Sequence, residues 1–286
     1  MQAIARDVYI EDQYPGVTLG AILLTHGLVQ VDAPPAPEDG RAWRAALLNL
    51  NGSSERLLIN LDAHPDRTLG ARAMDCTVLA HEKTAAVFRS RPTTFKAQGD
   101  ETGADWEGIP GLGNVRWVPP ELTFSQEMTL HWGDITVKVE HHPGPAVGAA
   151  WVLLPEAKVV FVGDAVLRGQ PPFLSSADIP AWLETLKLLA SPDFRGWQVV
   201  SGRGGLMNAD HIRAQAAFLK QAQTKVERLS QKKASLEALE NLAASLLGEF
   251  KVPASRQQKY IRRLRYGLYH YYIRHYQPPS GITGEE

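Results

Sequence analysis

Cysteine is almost absent from this sequence, and its scarcity narrows the chemistry available to the protein. Cys76 is the single cysteine. One cysteine excludes an intramolecular disulfide and any zinc site built from several thiolates. Because Cys76 lies in the apolar segment Asp75–Leu79, which is typical of a buried strand, we interpret it as an inert core thiol rather than a nucleophile.

The sequence also lacks an excess of either charge and any long apolar run. Its 30 basic and 31 acidic side chains leave a formal net charge of -1, so bulk electrostatics indicate neither a nucleic-acid nor a membrane partner. No apolar run approaches the ~20 residues that a membrane-spanning helix needs. Residues 1–7 lack the apolar region of a signal peptide. We therefore expect a cytoplasmic protein with no nucleic-acid partner and no membrane partner.

The 286 residues are enough for one large α/β domain with a helical extension. Short apolar, β-branched runs bounded by turn residues predict a series of strands. The predicted strands are Val8–Ile10, Val17–Thr25, Leu28–Val31, Arg56–Leu61, Asp75–Ala80, Leu122–Phe124, Met128–Leu130, Ile135–Val139, Ala150–Leu154, Lys158–Val162 and Trp197–Val200. Helical spacing predicts helices at Glu38–Leu50, which Asn51 and Gly52 would end, at His81–Arg89 and at Ile179–Leu189.

The chain from Asn208 onward is predicted to be helical. Its helices run from Asn208 to about Ser230, from Lys232 to Phe250 and from Pro253 to about Tyr276. We therefore divide the chain into a domain of residues 1–207 and a helical extension of residues 208–286 packed on it. The aromatic last helix is expected to pack on the domain, and a homodimer interface formed by these helices is the second expectation. The segment after Pro278 is expected to be frayed.

Residues 91–113 differ from their surroundings, since they are rich in Gly, Pro, Asp, Glu and Thr and poor in aliphatic side chains. Long loops of this kind form lids over sites or plain surface insertions. A solvent-exposed insertion is the favoured interpretation.

The stretch Asn60–Gly70 is the strongest candidate for a functional loop. It follows an apolar strand and precedes a predicted helix, which is where α/β proteins place ligand-binding groups. Its polar side chains are Asp62, His64, Asp66 and Arg67. Three further loops that follow strands carry His141 and His142, Asp164, and Arg203. Carboxylates with imidazoles favour a metal site, and carboxylates with guanidinium groups favour ion pairs, so both alternatives remain open.

The order of these motifs resembles the metallo-β-lactamase superfamily. The resemblance rests on the hairpin that ends at Asp32, the strand Val78–Glu82, the loop Val139–Gly148, the strand ending in Gly163–Asp164 and the loop Val200–Gly204. It implies a four-layer αββα sandwich with two mixed sheets between helices and a C-terminal helical extension that shapes the substrate entrance.

The resemblance also implies which residues stand at the family's zinc-ligand positions. His64, Asp66 and Asp164 match the family's ligand types. Elsewhere the residue types differ, because histidine positions of the family carry Asp62, Arg67, Pro145 and Arg203. A guanidinium group repels a metal cation but pairs with carboxylates.

We hypothesise that Arg67 and Arg203 neutralise Asp66 and Asp164 and replace the charge of the second metal. The protein would then be a hydrolase-like member that has lost dinuclear zinc hydrolysis, contains no cofactor, and keeps the crevice for an anionic small molecule or a protein partner bound by these arginines. The alternative is a hydrolase in which Asp62, His64 and Asp164 hold one Zn, Mn or Fe ion while Asp66 orients or deprotonates a water.

The remaining histidines receive structural interpretations. His141 and His142 are expected to face solvent or to be hydrogen-bonded, since they precede the matching position of the loop. His26, His81 and His131 are expected at turns or on the surface rather than as ligands.

Overall fold

A computed structural model describes residues 1–50, 55–96, 99, 101–232 and 235–277 of the chain. The first of its two sheets has seven strands in the order β1 to β7. These strands are β1 (Gln2–Ala5), β2 (Val8–Glu11), β3 (Leu19–Leu24), β4 (Gly27–Val31), β5 (Arg56–Ile59), β6 (Thr77–His81) and β7 (Leu122–Phe124). The strands up to β4 pair antiparallel, whereas β4, β5, β6 and β7 are parallel to one another. Because β4, β5 and β6 are parallel, their carboxyl ends meet at one edge of the sheet.

The second sheet has six strands in the order β13-β12-β11-β10-β9-β8. They are β8 (Glu127–Leu130), β9 (Val137–His141), β10 (Ala150–Leu154), β11 (Val159–Phe161), β12 (Gln198–Ser201) and β13 (Gly205–Met207). β11 and β12 are parallel, and the other pairs are antiparallel. Both sheets are therefore mixed, as predicted.

The two sheets pack face to face, because alternate strand residues of each are apolar. Ile22 and Val29 of the first sheet share a buried cluster with Val152 and Phe161 of the second. The outer face of the first sheet is covered by α1 (Pro37–Leu50), which buries Trp43. The outer face of the second is covered by α5 (Ile179–Leu189). The predicted four-layer sandwich is confirmed.

Short helices complete the domain at the edge where β5 and β6 end. They are α2 (Pro65–Thr68), α3 (Ala71–Met74) and α4 (Glu82–Ser90). The C-terminal helices are α6 (Ala209–Gln231), α7 (Leu236–Leu247) and α8 (Ala254–Tyr276). Asn208 caps α6 by accepting the backbone N–H groups of Asp210 and His211. These helices bury Leu219, Leu246 and Leu264 in the same cluster as Trp182 of α5, so they pack on the domain.

Several expectations need correction. β1 was not predicted because Gln2–Ala5 has neither β-branched enrichment nor a clear alternation, and β13 was not predicted because Gly204 and Gly205 suggested a loop. Residues 91–113 are not a plain exposed insertion: Phe95, Trp106 and Leu112 are buried together against Phe88 and Trp117. Their aromatic side chains outweigh the polar composition around them.

The interpretation of Cys76 agrees with its surroundings. Its thiol is half-buried and accepts a hydrogen bond from Gln30 Nε2 at 3.4 Å. Burial raises the pKa of Cys76 to about 11, so the thiol stays protonated at neutral pH. The predicted helix end at Asn51–Gly52 and the frayed segment after Pro278 lie outside the described residues. Within the described ranges, no helix combines the length and the apolar composition that crossing a membrane requires.

Gly70 fixes the loop that carries the candidate site onto the first sheet. A Cβ atom at this position would lie 2.1 Å from the carbonyl oxygen of Pro34, although the backbone φ of -83° suits any residue. We predict that Gly70→Ala lowers the free energy of unfolding by about 1–3 kcal/mol, the range for overpacking. Urea denaturation measures the change.

Gly113→Ala is the matched control, because a Cβ there meets nothing within 4 Å and the residue is exposed. Its stability should stay within about 0.5 kcal/mol of the native value or rise slightly. Equal stability of the two variants would contradict the close approach at Gly70.

Candidate functional site

The candidate site lies where the carboxyl ends of strands from both sheets converge. Asp32 follows β4, and the loop after β5 supplies Asp62 to Arg67. Asp164 lies in the short 3-10 turn Gly163–Ala165 after β11, and Arg203 follows β12. The fold thus brings together the polar groups of three separate loops, together with Asp32.

Arg67 is fully buried and lies among three carboxylates. Its Nη2 donates to Asp164 Oδ1, its Nε is 3.3 Å from Asp62 Oδ1, and its Nη1 is 3.4 Å from Asp32 Oδ2. The backbone carbonyl of Arg67 accepts the side-chain amide of Asn60 at 3.3 Å and the N–H of Ala33 at 3.0 Å. Arg67 therefore neutralises Asp164, which is one of the two carboxylates that the sequence assigned to the arginine pair, and also Asp62 and Asp32.

Arg203 is the second buried guanidinium and joins Asp164 to Asp66. Its Nε lies 3.0 Å from both oxygens of Asp164, and its Nη1 lies 2.5 Å from Asp66 Oδ2. Its Nη2 lies 3.0 Å from His64 Nδ1, and its plane stacks over the Phe173 ring at 4.6 Å. Asp164 is thus held between two arginines, one from each sheet's loops.

A second ring of charges surrounds this centre, and sequence reasoning missed it. Asp105 lies 3.7 Å from Arg203, and it also pairs with Lys259 at 2.9 Å and with Arg263 at 3.5 Å. Arg263 Nε donates to the carbonyl of Gly103 at 3.0 Å. Within residues 91–113, the acidic Asp105 beside an aromatic residue was the sequence feature that could have indicated this ring of charges. No sequence spacing, however, connects Asp105 with the basic residues of α8.

Asp66 anchors the insertion rather than facing the crevice. It is fully buried, and its carboxylate accepts the backbone N–H groups of Trp106 at 2.6 Å and Asp105 at 3.3 Å. With Arg203 on the same carboxylate, its oxygens are occupied. Asp66 thus holds the backbone of the insertion and the guanidinium group of Arg203, and its catalytic role stays a prediction.

Burial and ion pairing have opposing effects on the pKa values of the charged groups in this cluster. Burial raises the pKa of Asp32 to about 7, against the nearby Arg67 charge, and raises the pKa of Asp62 and Asp66 as well. For Asp164 the two arginines outweigh burial and hold its pKa well below the usual range. The carboxylates raise the pKa of Arg67 and Arg203 despite burial, so both stay charged.

His64 is neutral in this environment. Burial and the adjacent Arg203 charge hold the pKa of His64 well below its ordinary value. Its Nδ1 accepts the backbone N–H of Asp66 at 3.2 Å, which caps α2. The ring packs against Phe173 with centroids 4.5 Å apart.

These residues do not fit a metal ion. The lone pair of His64 Nδ1 is used by the α2 cap, so the neutral ring carries its proton on Nε2 and neither nitrogen offers a lone pair. Asp164 accepts from two guanidinium groups, and Asp62 Oδ1 accepts the backbone N–H of His64 at 2.7 Å. In the part of the chain that the structure describes, no three His, Cys, Asp or Glu side chains are grouped as metal ligands. Two permanent positive charges beside the same carboxylates oppose a cation further.

Three other histidines have structural partners. His141 Nε2 lies 3.0 Å from the carbonyl of Val147, and His142 Nε2 lies 3.0 Å from Glu140. His81 was predicted at a turn or on the surface, but it is fully buried. Its Nδ1 accepts a backbone N–H that caps α4, and its ring stacks on His141 with centroids 3.8 Å apart.

A cavity of about 310 Å³ opens beside the ionic centre. Its polar lining includes Asp62, His64 and Asp164 of the ionic centre, and its apolar and aromatic lining includes Val87, Trp106, Pro145, Phe173 and Tyr266. Arg91 also lines it. The insertion and α8 thus form part of the cavity wall.

Arg91 is the cation in the lining of this cavity, and among the described residues no carboxylate lies within 4 Å of its guanidinium group. Its Nη2 donates to the carbonyl of Ala63 at 2.8 Å, and its plane lies 4.5 Å over the Trp117 ring. Its buried Nη1 has no hydrogen-bond partner among the described residues. Burial lowers the pKa of Arg91 to about 10, so the group is still charged at neutral pH.

We predict that Arg203→Met destabilises the fold by about 3–5 kcal/mol, because it leaves the carboxylates of Asp66 and Asp164 with too little positive charge in a buried site. Arg203→Lys keeps the charge but loses the bidentate geometry, so it should give an intermediate loss. Chemical denaturation at neutral pH provides the measurement.

Arg213→Met removes a matched but exposed ion pair with Asp210 on α6. Its cost should stay below about 1 kcal/mol. A similar loss in both variants would show that the buried cluster contributes no more than a surface pair.

This chain resembles known proteins in part of its sequence and in its fold. Residues 63–197 match the model of the metallo-beta-lactamase superfamily. None of the curated proteins compared with the sequence matches it.

Solved structures share the fold at low sequence identity. The metallo-beta-lactamase from Pontibacter korlensis superposes with a TM-score of 0.62 at 17% identity, covering 77% of this chain and 97% of that one. DIM-1 metallo-beta-lactamase gives 0.59 at 18% identity, covering 77% and 96%. The stereoselective inverting sec-alkylsulfatase Pisa1 from Pseudomonas sp. gives 0.67 at 15% identity, covering 96% of this chain and 49% of that one. The chain thus has the hydrolase-like metallo-β-lactamase fold, and the resemblance to the metallo-β-lactamase superfamily that its motifs predict is confirmed.

Proposed function

We propose that this protein binds an anionic small molecule with an apolar part in the 310 Å³ cavity and works without the metal centre of metallo-β-lactamases. The observation that carries the metal-free part of the proposal is the placement of Arg67 and Arg203 between the buried carboxylates. These guanidinium groups supply the positive charge that would otherwise come from a metal.

The anion-binding role is assigned to Arg91 instead of Arg67 and Arg203, which the sequence suggested. Arg67 and Arg203 are buried and neutralised by aspartates, so neither is free to meet a ligand. Arg91 lines the cavity without a carboxylate within 4 Å in the described chain. A guanidinium group in the lining offers an incoming carboxylate, sulfate or phosphate group a charge-assisted contact.

The remaining walls indicate the rest of the ligand. Val87, Trp106, Phe173 and Tyr266 offer apolar and aromatic surface, and the volume lies at the lower end of small-molecule sites, about 300–1,000 Å³. Because Arg91 is the cation in the lining, the anionic group belongs beside it and the apolar part along the aromatic residues. One structural neighbour is named a sec-alkylsulfatase, and an alkyl sulfate has this combination of an anionic and an apolar part.

The alternative function, hydrolysis by one Zn, Mn or Fe ion on Asp62, His64 and Asp164, differs in metal content. We predict fewer than about 0.1 metal ions per chain in protein purified without added metal, and no change in Tm on adding a chelator, because guanidinium groups already satisfy the carboxylates. Elemental analysis with thermal unfolding tests this. One ion per chain that is lost in His64→Ala would establish the alternative instead.

The ligand site is tested with octyl sulfate and its neutral analogue octanol. Arg91→Met should weaken octyl sulfate binding at least about tenfold, or about 1.4 kcal/mol, while octanol affinity stays unchanged. Titration calorimetry measures both affinities.

Arg89→Met is the matched control, since Arg89 lies on the same helix and is exposed. It should bind octyl sulfate like the native protein. Equal loss in both variants, or no saturable binding of octyl sulfate to the native protein, would reject the anion site at Arg91.

A further inference from the structure

A second cavity is lined by α1, by α3 and by residues 111–116, and none of the charged residues of the ionic centre lines it. Its volume is about 660 Å³, and Leu69, Ala73 and Val115 contribute apolar wall. Guanidinium groups from three segments line it: Arg41 and Arg44 from α1, Arg72 from α3, and Arg116 from the strand-like segment that bridges to Thr94.

The charges around this cavity are unbalanced. Asp75 is the carboxylate of its lining, and Arg44 pairs with it at 3.0 Å. Arg41, Arg72 and Arg116 have no carboxylate within 4 Å in the part of the chain that the structure describes. Three unpaired cations therefore face one concavity in a protein whose formal net charge is -1.

This arrangement differs from an ordinary solvated helix face. On α1 the acidic Glu38 lies three residues before Arg41 but does not line the cavity, whereas Arg41 and Arg44 are like charges three residues apart, which repel each other. Arg72 and Arg116 add further repulsion from elements that tertiary packing, not sequence proximity, brings to the same place. An anion bound among the four groups would relieve this repulsion.

The chemistry of the donors selects the class of anion. Guanidinium groups form planar pairs of hydrogen bonds that match phosphate oxygens. One phosphate monoester carries about -1.5 to -2 charges at neutral pH, so three unpaired guanidinium groups are matched by more than one phosphate. We propose that this cavity binds a small polyanion with two or more phosphate groups, either an inorganic polyphosphate or a nucleoside polyphosphate.

The experiment titrates the full chain with inorganic phosphate, pyrophosphate and ATP in separate calorimetry runs at about 0.1 M salt. Pyrophosphate and ATP should each bind at one saturable site, and phosphate at least about tenfold more weakly. Equal affinity for pyrophosphate and ATP identifies a polyphosphate site, and tighter ATP binding identifies a nucleotide site.

The variant Arg72→Ala/Arg116→Ala should weaken pyrophosphate binding at least about tenfold, while its urea midpoint stays native because both side chains are exposed. The control Arg6→Ala/Arg213→Ala removes two exposed arginines elsewhere and should leave affinity unchanged. Absence of saturable pyrophosphate and ATP binding up to about 1 mM, or equal weakening in the control, would overturn the proposal.

Discussion

The buried carboxylate of Asp164, held between Arg67 and Arg203, is the interaction on which the crevice of this protein depends. Arg67 comes from the loop after β5 of the first sheet, and Asp164 and Arg203 come from loops of the second sheet. The pair of guanidinium groups therefore joins the two sheets at the end where their loops meet. Since a charge buried without a partner costs several kcal/mol, these three residues are interdependent, and each needs partners from outside its own loop.

Further ion pairs extend outward from this centre and determine the shape of the cavity. Arg203 also holds Asp66, and Asp66 accepts the backbone of residues 105 and 106, which fixes the insertion over the centre. Asp105 in turn engages Lys259 and Arg263 of α8. The insertion and the C-terminal extension are thus tied to the centre by charge as well as by apolar packing. What remains between them is a small, largely apolar cavity with Arg91 at its edge.

This protein shares its fold with the metallo-β-lactamases, whereas the residue types of its site differ from theirs. The sandwich that metallo-β-lactamases use is present, yet the positions that surround a second metal in that family carry guanidinium groups. An arginine supplies a permanent positive charge and oriented N–H donors, but it has no Lewis acidity and cannot activate water as a metal does. The positive charge of the arginines preserves the stability of the buried aspartates, and the fold alone says nothing about what the crevice binds.

The sequence by itself determined the layered architecture and the identity of the central groups. Apolar periodicity located nearly every strand, α5 and the C-terminal helices, and motif order named His64, Asp66, Arg67, Asp164 and Arg203 as members of one crevice. It also indicated that carboxylate and guanidinium charges would offset each other. Only the tertiary structure decided which charges meet: Arg67 with Asp164, Asp62 and Asp32, and Arg203 with Asp66. It alone revealed Asp105, Arg263 and the unpaired Arg91, and it turned an apparently exposed insertion into a wall of the cavity. The reason is physical: periodicity reports the face that a segment buries, whereas ion pairs depend on distances of a few ångströms between residues far apart in the chain.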